Sequence, residues 1–371
     1  MRMRPTISWS DLRGARAGVW GLGVEGQANL RKLAALGAEP VLVDDKPPAE
    51  GPGGRPVLAT GDGGLDALAA CEVVVKSPGI SRYRAEVAEL AGRGIPVAGG
   101  LGLWLAEADR DRVICITGTK GKSSVAAVAG HLLTRWGYRC LVGGNIGRPP
   151  WDPAAQEHDY DYWVIETSSY QATDLPCSPP VVAVTSLHPD HLDWHGDVET
   201  YYRDKLSACS QPGADLTVAN GDSGPLRERA ALLGPRVEWV GADDDPGAGW
   251  MAPLGLLGVH NRRNALIAGG HDRGIDYGPL AAGLAARDAP TLVLAVPDSG
   301  PRIQAAIEAE SPGKVEVTAC GDLASAVGRG YRWARPDGVV LLSPAAPSFG
   351  RFRDYRDRGE AFARAMRACT G

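Results

Sequence analysis

One segment of the sequence has the residue types and spacing of a phosphate-binding loop. Residues 117–124 read TGTKGKSS, between the apolar runs RVICI and VAAVAGHLL. Glycines let backbone N–H groups close around phosphate oxygens, and a following helix adds the positive end of its dipole. Lys122 can reach the terminal phosphates, and Ser123 or Ser124 can hold Mg²⁺. The pattern, a shortened G-x-x-G-K-S, predicts phosphate binding, although a glycine-rich turn that binds nothing is the alternative.

A second glycine-rich turn lies near the beginning of the chain. Residues 21–26 read GLGVEG, and Asp44 and Asp45 end the next apolar run about 20 residues later. This is the pattern of a dinucleotide site, but the same turn accepts any diphosphate, and a purely structural turn stays open. Residues 76–79, KSPG, end another apolar run. We expect both loops to border one ligand crevice.

Carboxylate and imidazole groups follow the phosphate loop. Glu166 ends the run YWVIE, where an acid downstream of a phosphate loop can bind Mg²⁺. The segment SLHPDHLDWH contains three histidines, and oxygen ligation with one histidine fits better beside phosphate than a zinc site does. His191 is the candidate ligand, whereas His188 and His195 are expected to be solvated loop residues. Lys205, taken by itself, reads as a surface lysine.

Three successive series of strand-like and helix-like runs hold these residues. The first includes GVWGLG and EVVVKSPG, the second RVICITG and YWVIETSS, and the third TLVLAV and GVVLLSP. The strand-like runs are nearly all apolar, as expected when helices cover both faces of a parallel sheet. The sequence therefore predicts an α/β fold of three Rossmann-like or phosphate-loop units with mainly parallel sheets, over residues 1–99, 100–264 and 265–371.

Composition excludes several classes of protein. With 371 residues, 44% hydrophobic and 22% charged, the chain is long enough for two or three globular domains. A net charge of -5 lacks the basic excess of proteins that bind nucleic acid or anionic lipid. Seven cysteines without a C-x-x-C pair fit a reducing compartment, and no apolar run approaches the ~20 residues of a membrane span. We expect a cytoplasmic monomer with small-molecule partners, without nucleic acid or membrane.

Taken in order, the motifs resemble those of the Mur ligase family, and within it the glutamate-adding members. The resemblance covers residues 18–264 and resumes from about residue 269 to the C-terminal helix. Its motifs are ITGTKGKSS, GGNIG at 143–147, IETSSYQ, HPDHLDWHG, DKL around Lys205, GVHNRRNA at 258–265 and LLSPAAPSF at 341–349.

The resemblance implies an ATP-dependent ligase of peptidoglycan precursor synthesis, and hence of cell wall biogenesis, cell shape and cell division. It implies that glutamate, with the D isomer expected and the L isomer open, is joined to UDP-N-acetylmuramoyl-L-alanine through an acyl phosphate. ATP and Mg²⁺ are the implied cofactors. In this reaction the substrate carboxylate attacks the γ-phosphate of ATP, and the amine of glutamate then displaces phosphate.

The resemblance also implies roles for single residues. The implied catalytic residues are Lys122, Glu166, His191 and Lys205. The implied ATP site comprises Gly118, Thr119, Lys120, Gly121, Lys122, Ser123, Ser124 and Asn264. The implied UDP-substrate site comprises Gly23, Val24, Glu25, Gly26, Asp44, Ser77, Pro78, Gly79, Asn145, Ser168 and Gln171. The implied glutamate site comprises Arg273, Ser348 and Tyr355, and the implied metal ligands are Ser123, Glu166, His191 and Lys205, the last as a carbamylated lysine.

The chain departs from the family pattern directly after Asn264. ALIAGGHDRG follows HNRRN without a linker, so residues 265–270 would have to continue a helix of the middle domain and also form the first strand of a third domain shortened at its start. One backbone segment cannot do both. This departure supports an alternative, a catalytically impaired homologue that binds nucleotide or UDP-sugar without ligation. An NAD-linked dehydrogenase fits less well, because it would leave the second phosphate loop unused.

Overall fold

A computed structural model describes residues 6–241, 264–272, 274, 276–285, 290–335, 338–343, 346, 348 and 350–370. The chain divides into two compact units, Met1–Asp244 and Asp245–Gly371. The first unit contains two sheets and the second contains one, and every strand pair described is parallel. This confirms the predicted α/β class. The predicted domain bounds stay a prediction, and the bound at residue 264 falls on the first residue of a strand.

The first sheet has the strand order β3-β2-β1-β4-β5. Its strands are β1 (Ala17–Trp20), β2 (Val41–Asp44), β3 (Leu58–Ala59), β4 (Val73–Lys76) and β5 (Val97–Gly99). Its helices are α1 (Val24–Ala35), α2 (Gly64–Ala69), α3 (Ala85–Gly92) and α4 (Gly100–Glu107). The chain order reverses between β1 and β4, and ligands of such sheets bind at this switch point beyond the carboxyl ends of the strands.

The second sheet has the strand order β11-β10-β9-β6-β8-β7. Its strands are β6 (Val113–Thr117), β7 (Cys140–Gly144), β8 (Tyr162–Glu166), β9 (Val181–Val184), β10 (Leu216–Asn220) and β11 (Val237–Val240). Its helices are α5 (Lys122–Arg135), α6 (Ser169–Ala172), α7 (Leu192–His195), α8 (Val198–Leu206) and α9 (Gly224–Arg227). The central strand β6 therefore lies between β8 and β9, whose carboxyl ends meet the phosphate loop.

Apolar residues on both faces of the second sheet explain its burial. Val164 and Ile116 pack in one cluster with Ala126 of α5, whereas their neighbours Ile165 and Cys115 pack in a second cluster on the other face. Successive strand side chains point to opposite faces, so a strand covered on both sides needs an unbroken apolar run. No helix among the described residues is long and apolar enough to cross a membrane.

The second unit contains the third sheet, with the order β14-β13-β12-β15. Its strands are β12 (Asn264–Gly269), β13 (Thr291–Val296), β14 (Glu316–Ala319) and β15 (Val339–Leu342). Its helices are α10 (Gly278–Ala285), α11 (Gly300–Glu310), α12 (Leu323–Ala334) and α13 (Tyr355–Thr370).

Strand β12 resolves the conflict at residues 265–270. It pairs with β13 from Asn264 opposite Thr291 to Gly269 opposite Val296, and with β15 on its other side. Ala265 and Ile267 are buried in a cluster with α12 residues, and Ala268 is buried in a cluster with residues of α10 and α11. The segment is thus a central strand of the third sheet, because burial on both faces and pairing on both edges favour it there.

Candidate active site

The phosphate loop connects β6 to α5. Gly118 and Gly121 have φ values of 131° and 86°, which glycine adopts without the strain that a side chain causes. A Cβ atom on Gly118 would lie 2.2 Å from Oγ1 of Thr185. Helix α5 begins at Lys122, so the first-turn N–H groups of a 14-residue helix follow the loop directly. This local geometry suits an anion.

Three of the predicted residues meet beside this loop. Ser123 Oγ donates to Glu166 Oε2 at 2.6 Å, and Asn145 Nδ2 donates to Glu166 Oε1 at 2.8 Å. Glu166 is 1% exposed at the end of β8 and pairs in register with Ile116 of β6. Lys122 Nζ donates to the carbonyl oxygen of Thr119 within the loop at 3.1 Å. The strand order of the sheet therefore brings these residues together.

Helix α8 directs Lys205 toward the same loop. Its Nζ donates to the carbonyl oxygen of Gly118 at 3.0 Å and lies 5.0 Å from the centroid of the Tyr201 ring. Burial and, to a smaller extent, the neighbouring positive charge of Lys122 together lower the pKa of Lys205 to about 7. Lys205 is 2% exposed, so the sequence-based interpretation as a surface lysine is wrong. A neutral amine is the form that reacts with electrophiles such as CO₂.

The three histidines of the HPDHLDWH segment lie in different environments. His191 has a half-exposed side chain and a φ of 51°, and burial of its ring lowers its pKa. The described contacts place its ring 5.0 Å from that of Tyr170, but they do not join it to Ser123 or Glu166. His188 is exposed, as expected.

His195 contradicts the expectation of a solvated loop residue. It is 4% exposed, and its ring nitrogens hydrogen-bond to Asp204 and Ser169. The physical reason is the aromatic surroundings, since its ring lies 5.6 Å from that of Tyr170 and 5.2 Å from that of Tyr201. Sequence reasoning also missed Asp204, because only the fold brings α8 against α7.

The donor set beside the phosphate loop fits Mg²⁺. The Ser123 hydroxyl and the Glu166 carboxylate provide two adjacent oxygen atoms, the ligand type that Mg²⁺ prefers. Among the described residues no group of three or more His, Cys, Asp and Glu side chains could hold a metal. A Mg²⁺ ion usually binds through one or two protein oxygens and takes its other ligands from phosphate and water.

Two predicted residues, Ser77 and Asp44, form hydrogen bonds with the backbone of the glycine-rich turn of the first sheet. Ser77 Oγ donates to the carbonyl oxygen of Gly21 at 2.6 Å, and the N–H of Leu22 donates to Asp44 Oδ2 at 2.7 Å. A Cβ atom on Gly26 would lie 1.9 Å from the carbonyl oxygen of Gly21, so the turn requires glycine there. The two loops therefore contact each other, and the expectation that they border one ligand crevice stays a prediction.

Glu25 and Gln171 connect this turn to the second sheet. Ser168 caps α6 in a reciprocal pair with Gln171, whose Oε1 accepts from the Ser168 N–H at 2.8 Å. Nε2 of Gln171 donates to Glu25 Oε1 at 2.6 Å. Burial raises the pKa of Glu25 to about 8. A buried ion pair of Lys76 with Asp174 provides another connection, which the charged end of the apolar run EVVVK could have signalled.

The remaining predicted residues of the first unit lie on the loops themselves. Thr119 is buried, and its hydroxyl is 2.9 Å from that of Tyr201, whereas Lys120 is exposed. Val24 is 75% exposed beside Gly23, the N-terminal cap of α1. Three further predicted residues lie on the same loops or in the first turn of α5, and none of them is buried: Ser124, Pro78 and Gly79.

The glutamate-side predictions fall in the second unit. Ser348 is buried and lines a cavity of 210 Å³ together with His271, Arg351 and Arg358. Arg358 Nη1 donates to the carbonyl oxygen of Ala346 at 3.0 Å, while its buried Nε has no partner among the described residues. Burial lowers the pKa of Arg358. Sequence reasoning missed Arg358, which lies in α13.

Three other predictions have no side-chain description. Arg273 lies outside the described residues. Asn264 begins β12 and Tyr355 begins α13, but only their backbone belongs to the described part of the chain. Their predicted contacts with ATP and glutamate stay predictions.

A cavity of 870 Å³ lies between α3 and α8 in the first unit and contains none of the predicted residues. Its lining includes Tyr83, Arg203 and Asp204. The chemistry-bearing residues therefore lie at the strand ends and loops rather than in this space.

Comparisons with known proteins identify relatives over nearly the whole chain. The sequence profile of the Mur ligase middle domain matches residues 116–270. The chain is 36% identical to a Micromonospora protein named UDP-N-acetylmuramoyl-L-alanine--L-glutamate ligase, covering 98% of each chain. It is 37% identical to the Salinispora tropica protein of that name, covering 98% of this chain and 99% of the other. The corresponding Xanthomonas euvesicatoria protein is 34% identical, with 95% of each chain covered.

These alignments also show that the chain is shorter than its relatives. The Micromonospora alignment spans 458 positions and includes 98% of this 371-residue chain, which is about 364 residues. Roughly 90 positions of the relative therefore have no counterpart in this chain. Among solved structures, a MurF ligase of Thermotoga maritima in complex with ADP has a TM-score of 0.46 and 11% identity, covering 96% of this chain and 95% of the other. That likeness is too low to add to the assignment, which rests on the sequence relatives. Their identity and coverage show that the chain belongs to the Mur ligase family.

Proposed function

We propose that the protein uses ATP to join L-glutamate to UDP-N-acetylmuramoyl-L-alanine, a step of peptidoglycan synthesis. The observation that carries the proposal is the similarity, over nearly the whole chain, to relatives named for this ligation. Their names specify L-glutamate, so the proposal takes this isomer in place of the D isomer expected from the sequence. We place the reaction in the cytoplasm and assign it to a monomer.

The phosphate loop supports the ATP part of the proposal. Lys122 and the first turn of α5 would bind the β- and γ-phosphates. Ser123 and Glu166 would hold Mg²⁺, with Asn145 orienting the carboxylate through its 2.8 Å hydrogen bond. When bound, Mg²⁺ would neutralise charge on the phosphate that is transferred.

The proposed reaction has two steps. An oxygen of the alanyl carboxylate attacks the γ-phosphorus, the bond to ADP breaks, and an acyl phosphate forms. The amine of glutamate then attacks the acyl carbon, phosphate leaves, and the amine loses a proton as the amide forms. The first step brings two anions together, so the positive charge of Lys122 lowers its barrier. The protein otherwise contributes positioning and exclusion of water.

Lys205 is proposed to act as a carbamate. The ammonium would first lose one proton, and the neutral amine would attack CO₂, forming an N–C bond and losing a second proton, so that a cation becomes an anion. The resulting carboxylate would relieve the repulsion between Lys205 and Lys122 that lowers the pKa of the amine. It would also add an oxygen ligand to those of Ser123 and Glu166. His191 is proposed as a further ligand, from the family resemblance.

The other two substrates are assigned to separate places. The turn of residues 21–26, with Asp44 and Ser77, is proposed for the UDP moiety. The second-unit cavity is proposed for glutamate, because its 210 Å³ is below the roughly 300–1,000 Å³ of sites for drug-sized ligands and suits one amino acid. Arg351 and Arg358 would balance the charge of its carboxylates.

A product assay tests the proposal. Purified protein is incubated with UDP-N-acetylmuramoyl-L-alanine, ATP, Mg²⁺ and either L- or D-glutamate, and the product is detected by mass. We expect product with the L isomer. The Lys122→Ala variant should release no ADP, because the terminal phosphate loses its cation. Absence of product with both isomers, and of glutamate-dependent ADP release, would overturn the proposal.

A second candidate function is a homologue that binds nucleotide or UDP-sugar without ligation. The observation that favours it is the roughly 90 positions of the relative that this chain lacks. Thermal stabilisation by the UDP substrate or ATP, without product, would support this second function. Product formation would exclude it.

A further inference from the structure

Four buried or half-buried polar side chains of the first unit form one chain of hydrogen bonds outside the predicted site. Nδ1 of His195 lies 2.6 Å from Oδ2 of Asp204, and its Nε2 lies 2.9 Å from Oγ of Ser169. The Tyr83 hydroxyl donates to Oδ1 of Asp204 at 2.6 Å. We call Tyr83, Asp204, His195 and Ser169 the His195 chain. Its central members Asp204, His195 and Ser169 are all buried.

The imidazole at the centre of the His195 chain has one orientation available. The Asp204 carboxylate can only accept, so Nδ1 of His195 carries a proton and donates it. In the neutral ring Nε2 then accepts the Ser169 hydroxyl. The ring also stacks on Tyr170 and meets the edge of Tyr201. Hydrogen bonds at both nitrogens and aromatic packing around the ring prevent its rotation.

The two residues that bind the ring nitrogens of His195 lie in helices that also carry predicted site residues. Ser169 is the first residue of α6 and follows Ser168, the capping residue. Asp204 precedes Lys205 in α8, and Lys205 donates to the carbonyl oxygen of Gly118. The distance between α6 and α8 therefore determines where Lys205 lies relative to Ser168.

A second contact between the same helices shows that this spacing is specified. Ser207, directly after α8, donates to the carbonyl oxygen of Ala172 at the end of α6 at 2.8 Å. Tyr83 extends the His195 chain toward the Ser77 loop, since its ring lies 6.0 Å from that of Trp194, whose Nε1 donates to the carbonyl oxygen of Gly79 at 3.3 Å.

Serine, histidine and aspartate in this order are also the groups of a hydrolytic triad. Here the Ser169 side chain is buried and its hydroxyl is directed to the imidazole inside the protein. A nucleophile must reach its substrate, so this arrangement does not support hydrolysis. The geometry instead supports a positioning function, in which the hydrogen bonds fix α6 and α8 relative to each other.

We propose that His195 is a positioning residue of the ligase, which through Asp204 and Ser169 holds the Lys205 helix α8 at a defined distance from the substrate-side helix α6. This inference rests on the proposed function. It predicts that loss of either ring contact lowers turnover more than it weakens substrate binding.

Two substitutions each keep one of the two hydrogen bonds of the imidazole and remove the other. In His195→Asn the side-chain amide can replace Nδ1 and keep Asp204, and in His195→Gln it can replace Nε2 and keep Ser169. We expect kcat to fall roughly tenfold to a hundredfold in each, as for other residues that orient a catalytic group, with KM for ATP and for the UDP substrate within about threefold of wild type. The matched control is His158→Asn, at an exposed histidine. An unchanged kcat, or a change in KM alone, would overturn the inference.

Amide hydrogen exchange provides a readout that does not require turnover. We expect faster exchange in peptides covering residues 117–124 and 198–209 of both His195 variants, with peptides covering 291–296 unchanged. If exchange is faster throughout the first unit, or is not faster in residues 117–124, His195 stabilises the fold without positioning Lys205. If the wild type makes no product, the proposed function fails, whereas the exchange result still decides the positioning.

Tyr83→Phe and Ser169→Ala keep the inference testable if the His195 variants do not fold. Each removes one hydroxyl and leaves the imidazole in place. We expect intermediate losses of kcat, with the exchange changes confined to the same two segments. Wild-type kcat and exchange in both variants would contradict the inference.

Discussion

At the scale of single residues, burial shifts the pKa values of two side chains of the first unit. Burial lowers the pKa of Lys205 to about 7 and raises that of Glu25 to about 8. In both cases the environment favours the neutral form, because a charge loses its hydration on burial. Glu25 lies in the turn proposed for a diphosphate, where a neutral carboxyl avoids repulsion of the substrate.

The shift of Glu25 predicts a pH dependence of stability. Its folded pKa is raised above the reference value of 4.5, so as pH rises from about 4.5 to about 8 the unfolded chain releases a proton that the folded protein keeps. This group therefore lowers stability as pH rises through that window. Glu25→Gln cannot ionise and can still accept from Gln171. We expect its thermal unfolding temperature, relative to wild type, to be higher at about pH 8.5 than at about pH 5.

Glu86→Gln is the control with the opposite sign. The hydrogen bond from Arg84 lowers the pKa of Glu86, so this carboxylate stabilises the fold above its reference pKa, and the benefit is lost as pH falls. Its variant should be less stable than wild type near neutral pH, by a small amount because the ion pair with Arg84 is partly exposed to solvent. A Glu25→Gln difference that does not vary with pH would contradict the assignment.

At the scale of elements, β12 shows how pairing decides a conformation. The segment NALIAG has residues compatible with a helix as well as with a strand. Pairing with β13 and β15 and burial on both faces favour the strand. The third sheet therefore keeps its central strand although roughly 90 positions of a relative have no counterpart in this chain.

A pair of substitutions in this sheet tests the role of β12. Ile267 is fully buried in β12, whereas Leu341 in the neighbouring strand β15 is 41% exposed. Ile267→Ala should lower the free energy of unfolding of the second unit by roughly 2–5 kcal/mol, because it leaves a cavity. Leu341→Ala should cost less, since its side chain already contacts water. Equal effects in denaturant unfolding would contradict the placement of Ile267.

At the scale of the molecule, the first unit contains both turns that are proposed to bind phosphate, and buried polar contacts join its two sheets. Lys76 of β4 pairs with Asp174, which follows α6, and Gln171 contacts Glu25. These contacts connect the first sheet, whose turn is proposed for UDP, with the second sheet, which carries the loop proposed for ATP. The second unit has its own sheet and its own cavity around Ser348.

The Lys76 pair predicts a measurable contribution to the stability of the first unit. Lys76→Met leaves Asp174 buried without its main partner and should destabilise by roughly 3–5 kcal/mol. The control is Arg93→Ala, which removes an exposed pair with Glu89 worth about 0–1 kcal/mol. Both are measured by denaturant unfolding. Equal costs would show that the buried pair contributes no more than a surface pair.

The sequence by itself determined the fold class, the phosphate loop and the family, because these depend on local patterns. Apolar runs ending in glycine or acid mark β1, β4, β6 and β8, and TGTKGKSS needs only its own residues to form an anion-binding turn. Strands without an unbroken apolar run of sufficient length were not predicted: β3 has two residues, β7 has only three residues before its two glycines, and β11 alternates partly buried with exposed residues at a sheet edge.

Only the tertiary structure decided which polar side chains are buried and what they contact. Nothing local distinguishes His195 from His188, or Lys205 from a surface lysine, since their environments include Ser169, Tyr170 and Gly118, which are distant in sequence. The same holds for β12, whose conformation depends on pairing with β13 and β15. Burial and strand pairing are sums over distant neighbours, and a local pattern does not contain them.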